Sequence, residues 1–168
     1  MLVYHPAFDI YNCAFRILQI MNLMKQDEIE VDRLRIWDFY LTFPNEARKI
    51  TFPNDLAELK KVFKSKSENP YEDLMDPKRI IERMEPYQTS ALRCLVSYGL
   101  IDGSSLSKSV VKRTEKDIPA ELAVKLSDLS KEKLNIIKLI LGFRELPLYG
   151  KVGLKFRTGL IDFKYDAK

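Results

Sequence analysis

Histidine, cysteine and glycine are scarce in this chain of 168 residues, and their scarcity excludes several kinds of site. His5 is the only histidine, and Cys13 and Cys94 are the only cysteines. Zinc needs about four ligands, and the sequence has neither a second histidine nor a nearby pair of cysteines to supply them. Two cysteines in apolar helical surroundings are typical of free thiols in a reducing compartment rather than of a disulfide framework.

Catalytic and membrane-spanning motifs are missing as well. The sequence has no glycine-rich phosphate loop, no G-x-S-x-G motif and no H-E-x-x-H motif. No apolar run approaches the roughly 18 residues of a membrane span, and the N-terminus lacks the basic region and apolar core of a signal peptide. We therefore expect a cytoplasmic protein that is not an enzyme, with no catalytic residues, no metal site and no cofactor.

The charge of the chain is positive but unevenly distributed. The formal net charge is +4 at pH 7, and 46% of the residues are hydrophobic, which is enough for a core. Residues 1–100 carry 14 Lys and Arg against 15 Asp and Glu, whereas residues 101–168 carry 14 against 9. This basic C-terminal third is compatible with contact to nucleic acid or to an acidic partner, and equally with a solvated basic face.

The opening stretch YHPAFDIYNCAFR spaces His5, Asp9 and Cys13 so that all three would share one face of a continuous helix. This is the strongest hint of a catalytic or metal site in the chain. Pro6 argues against it, because a residue that precedes proline is pushed away from the helical region. We therefore expect His5 to lie outside the helix and to hold the entry of the chain against the core.

The first helix is predicted to begin just after His5 and to end at about Met24, with apolar residues around most of its circumference. A surface helix usually has a narrower apolar face, so this helix must be covered on several sides, by its own domain or by another chain. The residues predicted to contact a partner chain, with the last of them at the edge of the polar stripe, are Phe8, Tyr11, Phe15 and Arg16.

The helical and alternating patterns together predict a mainly α protein with small β-hairpins, an α+β fold that is winged-helix-like. A loose two-fold rhythm of helices followed by a hairpin suggests two such units in tandem. We expect one compact domain over residues 1–168. Within it we expect a helical N-terminal lobe at 1–64, a flexible loop at 65–75 and a winged-helix-like C-terminal lobe at 76–168.

Local patterns add more specific predictions. Asp32 is expected to cap a short helix that ends near Leu41, and Trp37 on that helix is expected in the core. Pro86 is expected to break or kink its helix, because proline cannot donate to the preceding turn. Alternating apolar residues on both sides of RTG predict a second β-hairpin over about 151–166.

A helix that closes as LVSYGLI, followed by a polar turn and the run VVKRT, is typical of the recognition helix and wing of a winged helix. Gly99 fits the left-handed position after the helix, with Leu100 folding back on Leu95. Candidates for contact with DNA or an acidic partner are Lys108, Lys112, Arg113 and Lys116. The helix itself offers only Arg93 as a cation, which favours a protein-docking module over base reading. A free-standing winged-helix transcriptional regulator that binds DNA is the alternative.

Two stretches, YHPAFDIYNCAFRILQIM and IEVDRLRIWDFYLTFP, resemble the small middle components of ABC-three-component systems, which include the small accessory subunit of Lamassu-type bacterial defence complexes. The resemblance rests on the Y-H-P opening, the aromatic-rich first helix and the block D-R-L-R-I-x-D-F-Y-x-x-F-P. It implies a non-catalytic subunit between an SMC-like coiled-coil ATPase and an effector, often a nuclease. It also implies a role in anti-phage or anti-plasmid defence, in which the assembly detects foreign DNA and releases the effector.

Overall fold

Helices make up most of the computed structural model, which describes residues 4–25, 28–64 and 73–162. The α-helices are α1 (Ile10–Met24), α2 (Val31–Thr42), α3 (Ala57–Lys64), α4 (Pro77–Ser97), α5 (Gly103–Leu106), α6 (Ala120–Ser127), α7 (Lys131–Gly142) and α8 (Leu154–Thr158). Short 3-10 helices lie at Pro6–Phe8, Pro44–Lys49 and Asn54–Leu56, and the strands are β1 (Ile29–Glu30) and β2 (Val110–Val111). The prediction of a mainly helical α+β protein is confirmed. Most of the predicted flexible loop, at 65–72, lies outside the described residues.

The start of the chain folds in two steps. His5 is extended, and its Nδ1 atom accepts a hydrogen bond from the Ala7 amide at 3.1 Å, which caps the 3-10 turn that follows. Asp9 then caps α1, since its Oδ1 atom accepts from the Asn12 amide at 2.8 Å. His5 therefore lies outside the helix, as predicted, but α1 begins at Ile10 rather than directly after His5.

The helix α4 runs through Pro86 without a break. Asp76 caps its first turn by accepting from the Arg79 amide at 3.1 Å. Of the predicted break or kink at Pro86, the break is wrong, because packing holds the turns on both sides of the proline, where Met84 and Gln88 are buried. The kink stays a prediction. Pro86 itself is exposed, so the backbone carbonyl that loses its helical partner can bond to water.

The C-terminal end of α4 closes in the predicted Schellman motif. Gly99 has a φ of 72°, and its amide donates to the Val96 carbonyl at 2.9 Å. The Leu100 amide donates to the Leu95 carbonyl at 3.0 Å, so the chain folds back over the last turn. Glycine suits this position because residues with a Cβ atom are strained at a positive φ.

The strands β1 and β2 form a small antiparallel sheet. The paired residues are Ile29 with Val111 and Glu30 with Val110. Ile101, just after α4, also forms an isolated antiparallel bridge with Arg113. The segment after α4 therefore turns back on itself and lies beside the strand that precedes α2. The strand β2 lies within the run VVKRT, as the sequence pattern predicts. The assignment of a winged helix stays a prediction.

The predicted C-terminal hairpin is wrong over the part that the structure describes. Residues Leu154–Thr158 form α8, which ends at Gly159 with a φ of 65°. The apolar and polar residues alternate around 151–156 over too few positions to distinguish a strand from a helix. The Leu154 amide donates to the Pro147 carbonyl at 2.8 Å, so it is bonded within the turn before α8. Residues 163–168, in the second half of the predicted hairpin, lie outside the described residues. Within the described ranges β1 and β2 make the only sheet, so the suggested tandem unit has no second hairpin there.

The core joins helices that are distant in the sequence. α1 packs mainly against α4, and α2 packs against both α4 and α7. Trp37 is 1% exposed and makes an edge contact with Phe143 at 6.0 Å between ring centroids, so its predicted place in the core is confirmed. One apolar cluster includes residues from both 1–64 and 76–168, and this shared core positions the polar side chains considered next.

Candidate functional site

The side chains of His5, Asp9 and Cys13 have separate structural roles. His5 and Asp9 each cap a helical turn, whereas Cys13 is completely buried on α1. Burial raises the pKa of the Cys13 thiol, and the nearby Asp38 carboxylate raises that pKa further. The thiol donates to Asp38 Oδ2 at 3.6 Å. A thiol that is kept protonated in this way is a poor nucleophile.

Asp38 is the centre of a buried polar cluster between α1, α2 and α4. Arg16 Nε lies 2.6 Å from Asp38 Oδ1, and Gln88 Nε2 donates to Asp38 Oδ2 at 2.8 Å. We call Cys13, Arg16, Asp38 and Gln88 the Asp38 cluster. Arg16 also donates to the Pro6 carbonyl at 3.0 Å. The two buried charges therefore neutralise each other, and the hydrogen bonds connect three helices and the start of the chain.

Arg35 on α2 connects the Asp38 cluster to the surface. Its Nε atom donates to Gln88 Oε1 at 3.0 Å. Its Nη1 and Nη2 atoms lie 3.2 Å from carboxylate oxygens of Asp32 and Glu85, respectively. Gln88 is thus held from both ends of its amide group, which fixes the orientation in which it faces Asp38.

Asp32 binds a second cation, which comes from a distant part of the chain. Lys155 on α8 is 2% exposed, and its Nζ atom lies 2.7 Å from Asp32 Oδ2. The predicted role of Asp32 as the cap of α2 is wrong, because Glu30 occupies the cap position. Asp32 instead joins α8 to the network of Arg35, which extends from α1 through α2 and α4.

Sequence reasoning missed this network. A signal is present at Gln88, which interrupts the apolar face formed by Met84, Ala91 and Leu92, whereas Arg16 lies at the edge of the polar stripe of α1. A polar residue on such a face can be a buried residue with a partner or an exposed one. Whether the residue is buried or exposed depends on which other helix packs against that face, and a single sequence does not contain that information.

An exposed aromatic surface lies at the start of the chain. Tyr4, Ile10 and Tyr11 are 66%, 37% and 79% exposed, and we call these three residues the α1 patch. Tyr4 is fixed in place, because its hydroxyl donates to Asp9 Oδ2 at 3.1 Å and accepts from the side-chain amide of Asn12. The α1 patch therefore presents an aromatic ring whose position is set before any partner arrives.

The residues predicted to contact a partner chain are placed differently from one another. Tyr11 is exposed, while Phe8 and Phe15 are half-buried against the core. Arg16 is 4% exposed, so its predicted position at an accessible edge of α1 is wrong. The reason is Asp38, which supplies from α2 the carboxylate that was expected from a partner.

Two of the predicted wing cations stabilise the end of α4. Arg113 donates to the Leu100 carbonyl at 2.8 Å, and Lys116 donates to the Tyr98 carbonyl at 2.7 Å. Tyr98 is the C-cap of α4, and carbonyls at the C-terminal end of a helix lack partners within the helix and carry partial negative charge. The Leu100 carbonyl lies just beyond the helix and also accepts from the Thr114 amide at 3.1 Å. Arg113 and Lys116 therefore have a structural role that accounts for their positions.

The other two predicted wing cations differ in their surroundings. Lys112 Nζ lies 3.4 Å from Glu28 Oε1, which links the wing to the segment before β1. Lys108 is exposed at the end of the turn that follows α5, and it makes no ion pair with a described residue. Of the four cations, Lys108 is thus the one whose charge faces solvent without a carboxylate or carbonyl partner among the described residues.

A groove of about 470 Å³ lies between the outer face of α4 and the turn that contains α5. We call it the α4 groove, and its main lining residues are Thr89, Leu92, Arg93, Val96, Leu106 and Ser109. Leu92, Val96 and Leu106 make its lining largely apolar. Sequence reasoning missed the groove, because the spacing of Leu92 and Val96 fits a core-facing stripe equally well.

Neither a metal cluster nor a membrane span is found in the described part of the chain. Within residues 4–25, 28–64 and 73–162, no three His, Cys, Asp or Glu side chains are grouped so as to hold a metal ion. No helix in those ranges is both long enough and apolar enough to cross a membrane. The carboxylates of Asp32 and Glu85, which approach one another at Arg35, are each paired with that arginine.

The comparisons with known proteins agree with the sequence resemblance. A family model described as "ABC-three component (ABC-3C) system Middle Component 5" matches residues 2–166, which is nearly the whole chain. No curated protein and no solved structure matches the chain. The resemblance to middle components is confirmed, and it extends beyond the N-terminal stretches that first indicated it.

Proposed function

Because the chain belongs to the ABC-three component system middle component 5 family, we propose that it is a non-catalytic accessory subunit that links an SMC-like coiled-coil ATPase to an effector. The proposed complex is of the Lamassu type and acts in the cytoplasm of bacteria against phage or plasmids. Its effector is a nuclease that is released after foreign DNA is detected. DNA is contacted weakly by this chain or only through the complex.

The interior of the protein supports a non-catalytic role. Arg16 and Asp38 neutralise each other in the core, and Cys13 keeps its proton beside them. Gln88 satisfies the remaining oxygen of Asp38. Catalytic groups usually face a cleft in which a substrate can reach them, whereas these groups face one another within a packed core.

The α1 patch carries the proposal, because it is the kind of surface that a partner protein binds. Tyrosine is enriched at protein interfaces, where it contributes contact area at a small cost in conformational entropy. Tyr11 is 79% exposed, and Tyr4 is fixed by Asp9 and Asn12. We assign the α1 patch to the ATPase, with the half-buried Phe8 and Phe15 as its supporting layer.

Co-purification tests this assignment. The chain is co-expressed with any coiled-coil ATPase encoded beside it, and the dissociation constant of the complex is measured for the wild type and for Tyr11→Ala. Loss of a central aromatic contact should raise the dissociation constant by at least about tenfold. Tyr98→Ala is the matched control, since Tyr98 is also exposed, at 60%, but lies at the far end of α4.

Stability measurements separate an interface role from a core role. Tyr11→Ala should change the free energy of unfolding by less than about 0.5 kcal/mol, because the ring is exposed. A well-folded Tyr11→Ala variant that binds the ATPase as tightly as the wild type would remove the α1 patch from the proposal. A wild-type chain that binds no coiled-coil ATPase encoded beside it would overturn the linking function itself.

A further inference from the structure

The α4 groove combines an apolar lining with a partly polar rim. Leu92 and Val96 on α4 face Leu106 on α5 across the groove. Thr89 and Ser109 lie at its polar edges. Its volume of about 470 Å³ falls within the range of sites that enclose apolar groups of a ligand or partner. The groove shares no lining residue with the α1 patch.

The wall opposite α4 is fixed in position. The Ser109 carbonyl accepts from the Val31 amide at 3.0 Å, which attaches the turn to the start of α2. Asp102 caps α5, because its Oδ2 atom accepts from the Ser105 amide at 2.9 Å and from the Ser104 hydroxyl at 2.7 Å. A fixed wall lowers the entropic cost of binding, since the groove does not have to be assembled around its occupant.

Ser109 has a backbone conformation that few non-glycine residues adopt. Its φ is 59°, in the left-handed region, and it stands between the turn and β2. Strained backbone of this kind persists when the surrounding contacts determine it, and it is concentrated at binding sites. Here the conformation directs the chain from the groove wall into the strand that pairs with β1.

The two charged side chains beside the groove that lack an ion-pair partner among the described residues are both positive. Arg93 lies on the rim and Lys108 lies next to Ser109, and both are exposed. Neither forms an ion pair with a described residue, whereas the Asp102 carboxylate at the start of α5 accepts hydrogen bonds from both serines of α5. Complementarity of charge therefore favours an occupant with carboxylates beside its apolar group.

We propose that the α4 groove binds a segment of the effector that inserts an apolar side chain between Leu92 and Leu106 and places carboxylates at Arg93 and Lys108. This inference rests on the proposed function, because a linking subunit needs a second surface once the α1 patch is assigned to the ATPase. DNA is a poorer occupant than a protein segment. Its phosphates and base edges gain nothing from an apolar lining, and among the described residues Arg93 is the only cation that lines the groove.

Charge reversal at the rim tests the proposal. The three components are co-expressed, and the dissociation constants of the chain for the effector and for the ATPase are measured separately. The double variant Arg93→Glu with Lys108→Glu should raise the effector constant by at least about tenfold and leave the ATPase constant within twofold. Its matched control is Lys131→Glu with Lys138→Glu, which reverses two exposed charges on α7 and should change neither constant.

A crosslinking experiment locates the contact independently of charge. A photoreactive benzoylphenylalanine at Thr89 should crosslink to the effector in the assembled complex, and the same group at Lys138 should not. Crosslinking from Thr89 to DNA alone, or to the ATPase alone, would overturn the proposal.

The outcomes distinguish this inference from the function on which it rests. If the rim variant binds the effector as tightly as the wild type while Tyr11→Ala loses the ATPase, the groove assignment is wrong and the linking function stands. If the rim variant loses duplex DNA binding but keeps the effector, the groove belongs to nucleic acid. If the wild type binds neither component, both proposals fail together.

Discussion

The two faces of α4 use charge in opposite ways. Gln88 faces the core, where it donates a hydrogen bond to Asp38 beside Arg16, and both charges in that cluster are paired with each other. Arg93, little more than one turn later, faces solvent beside the α4 groove without a carboxylate among the described residues. A charge that is paired inside the core has a structural role, because it joins helices of the same chain. A charge left without a partner beside a preformed apolar groove is available to pair with a carboxylate of a bound protein.

The largest effect should come from breaking the buried pair. Arg16→Ala leaves Asp38 as a buried carboxylate without its cation, and removing one partner of such a pair costs about 3–5 kcal/mol. Urea unfolding followed by circular dichroism measures this loss in the free energy of unfolding. A loss below about 1 kcal/mol would mean that Asp38 is reached by water, contrary to its complete burial.

Replacing both charges together should cost less than replacing one. The double variant Arg16→Met with Asp38→Leu leaves no unpaired charge in the core, and exchanges of this kind are often close to neutral. We expect it to recover at least about 2 kcal/mol relative to Arg16→Ala in the same unfolding experiment. Gln88 keeps a partner, because its Nε2 atom also lies 3.3 Å from the Arg35 carbonyl. Strictly additive losses would show that the two charges do not interact.

On the groove side, the cap of α5 should give a pH-dependent effect. Hydrogen bonds from Ser105 and Ser104 lower the pKa of Asp102 from 3.8 to about 2. Because the folded-state pKa is lowered, Asp102 stabilises the fold above pH 3.8, and this contribution disappears as the pH falls to about 2. Asp102→Ala should therefore lower Tm at pH 7 and have a shrinking effect below pH 4. A difference in Tm that stays constant across this range would contradict the cap.

The smallest effect should come from the exposed rim. Arg93→Ala should change the free energy of unfolding by less than about 0.5 kcal/mol, since no ion pair and no buried area depend on it. The measurement is the same urea titration that is used for Arg16→Ala, so the two arginines are compared directly. A large destabilisation by Arg93→Ala would remove the distinction between the two faces of α4.

The features that could be predicted from the sequence are those determined over a few residues. His5 is held out of α1 by Pro6, and Gly99 with Leu100 closes α4, because each depends on the backbone of its own turn. The predictions of a helix break at Pro86 and of an accessible Arg16 are wrong, because packing between distant helices determines both features. The proline is held within a helix that is buried on both sides of it, and the arginine meets a carboxylate from another helix.

The C-terminal segment and the groove show the same limit. Residues 151–156 alternate like a strand, yet a Cβ atom on Gly153 would lie 2.2 Å from the Tyr149 carbonyl oxygen. This close approach belongs to the turn that leads into α8, and no pattern of hydropathy records it. The α4 groove depends likewise on how the turn after α4 folds back, which VVKRT indicates only in outline.

The ion pair between Asp32 and Lys155 has a consequence for the order in which the protein can mature on the ribosome. Asp32 leaves the exit tunnel early, whereas Lys155 is translated only after α7. Until then the N-terminal helices lack both Gln88 for Asp38 and Lys155 for Asp32. The nascent chain therefore keeps these carboxylates in water, and it keeps the apolar faces of α1 and α2 without α4 and α7, until the later helices are made. Its tertiary structure cannot be completed before α8 has been synthesised.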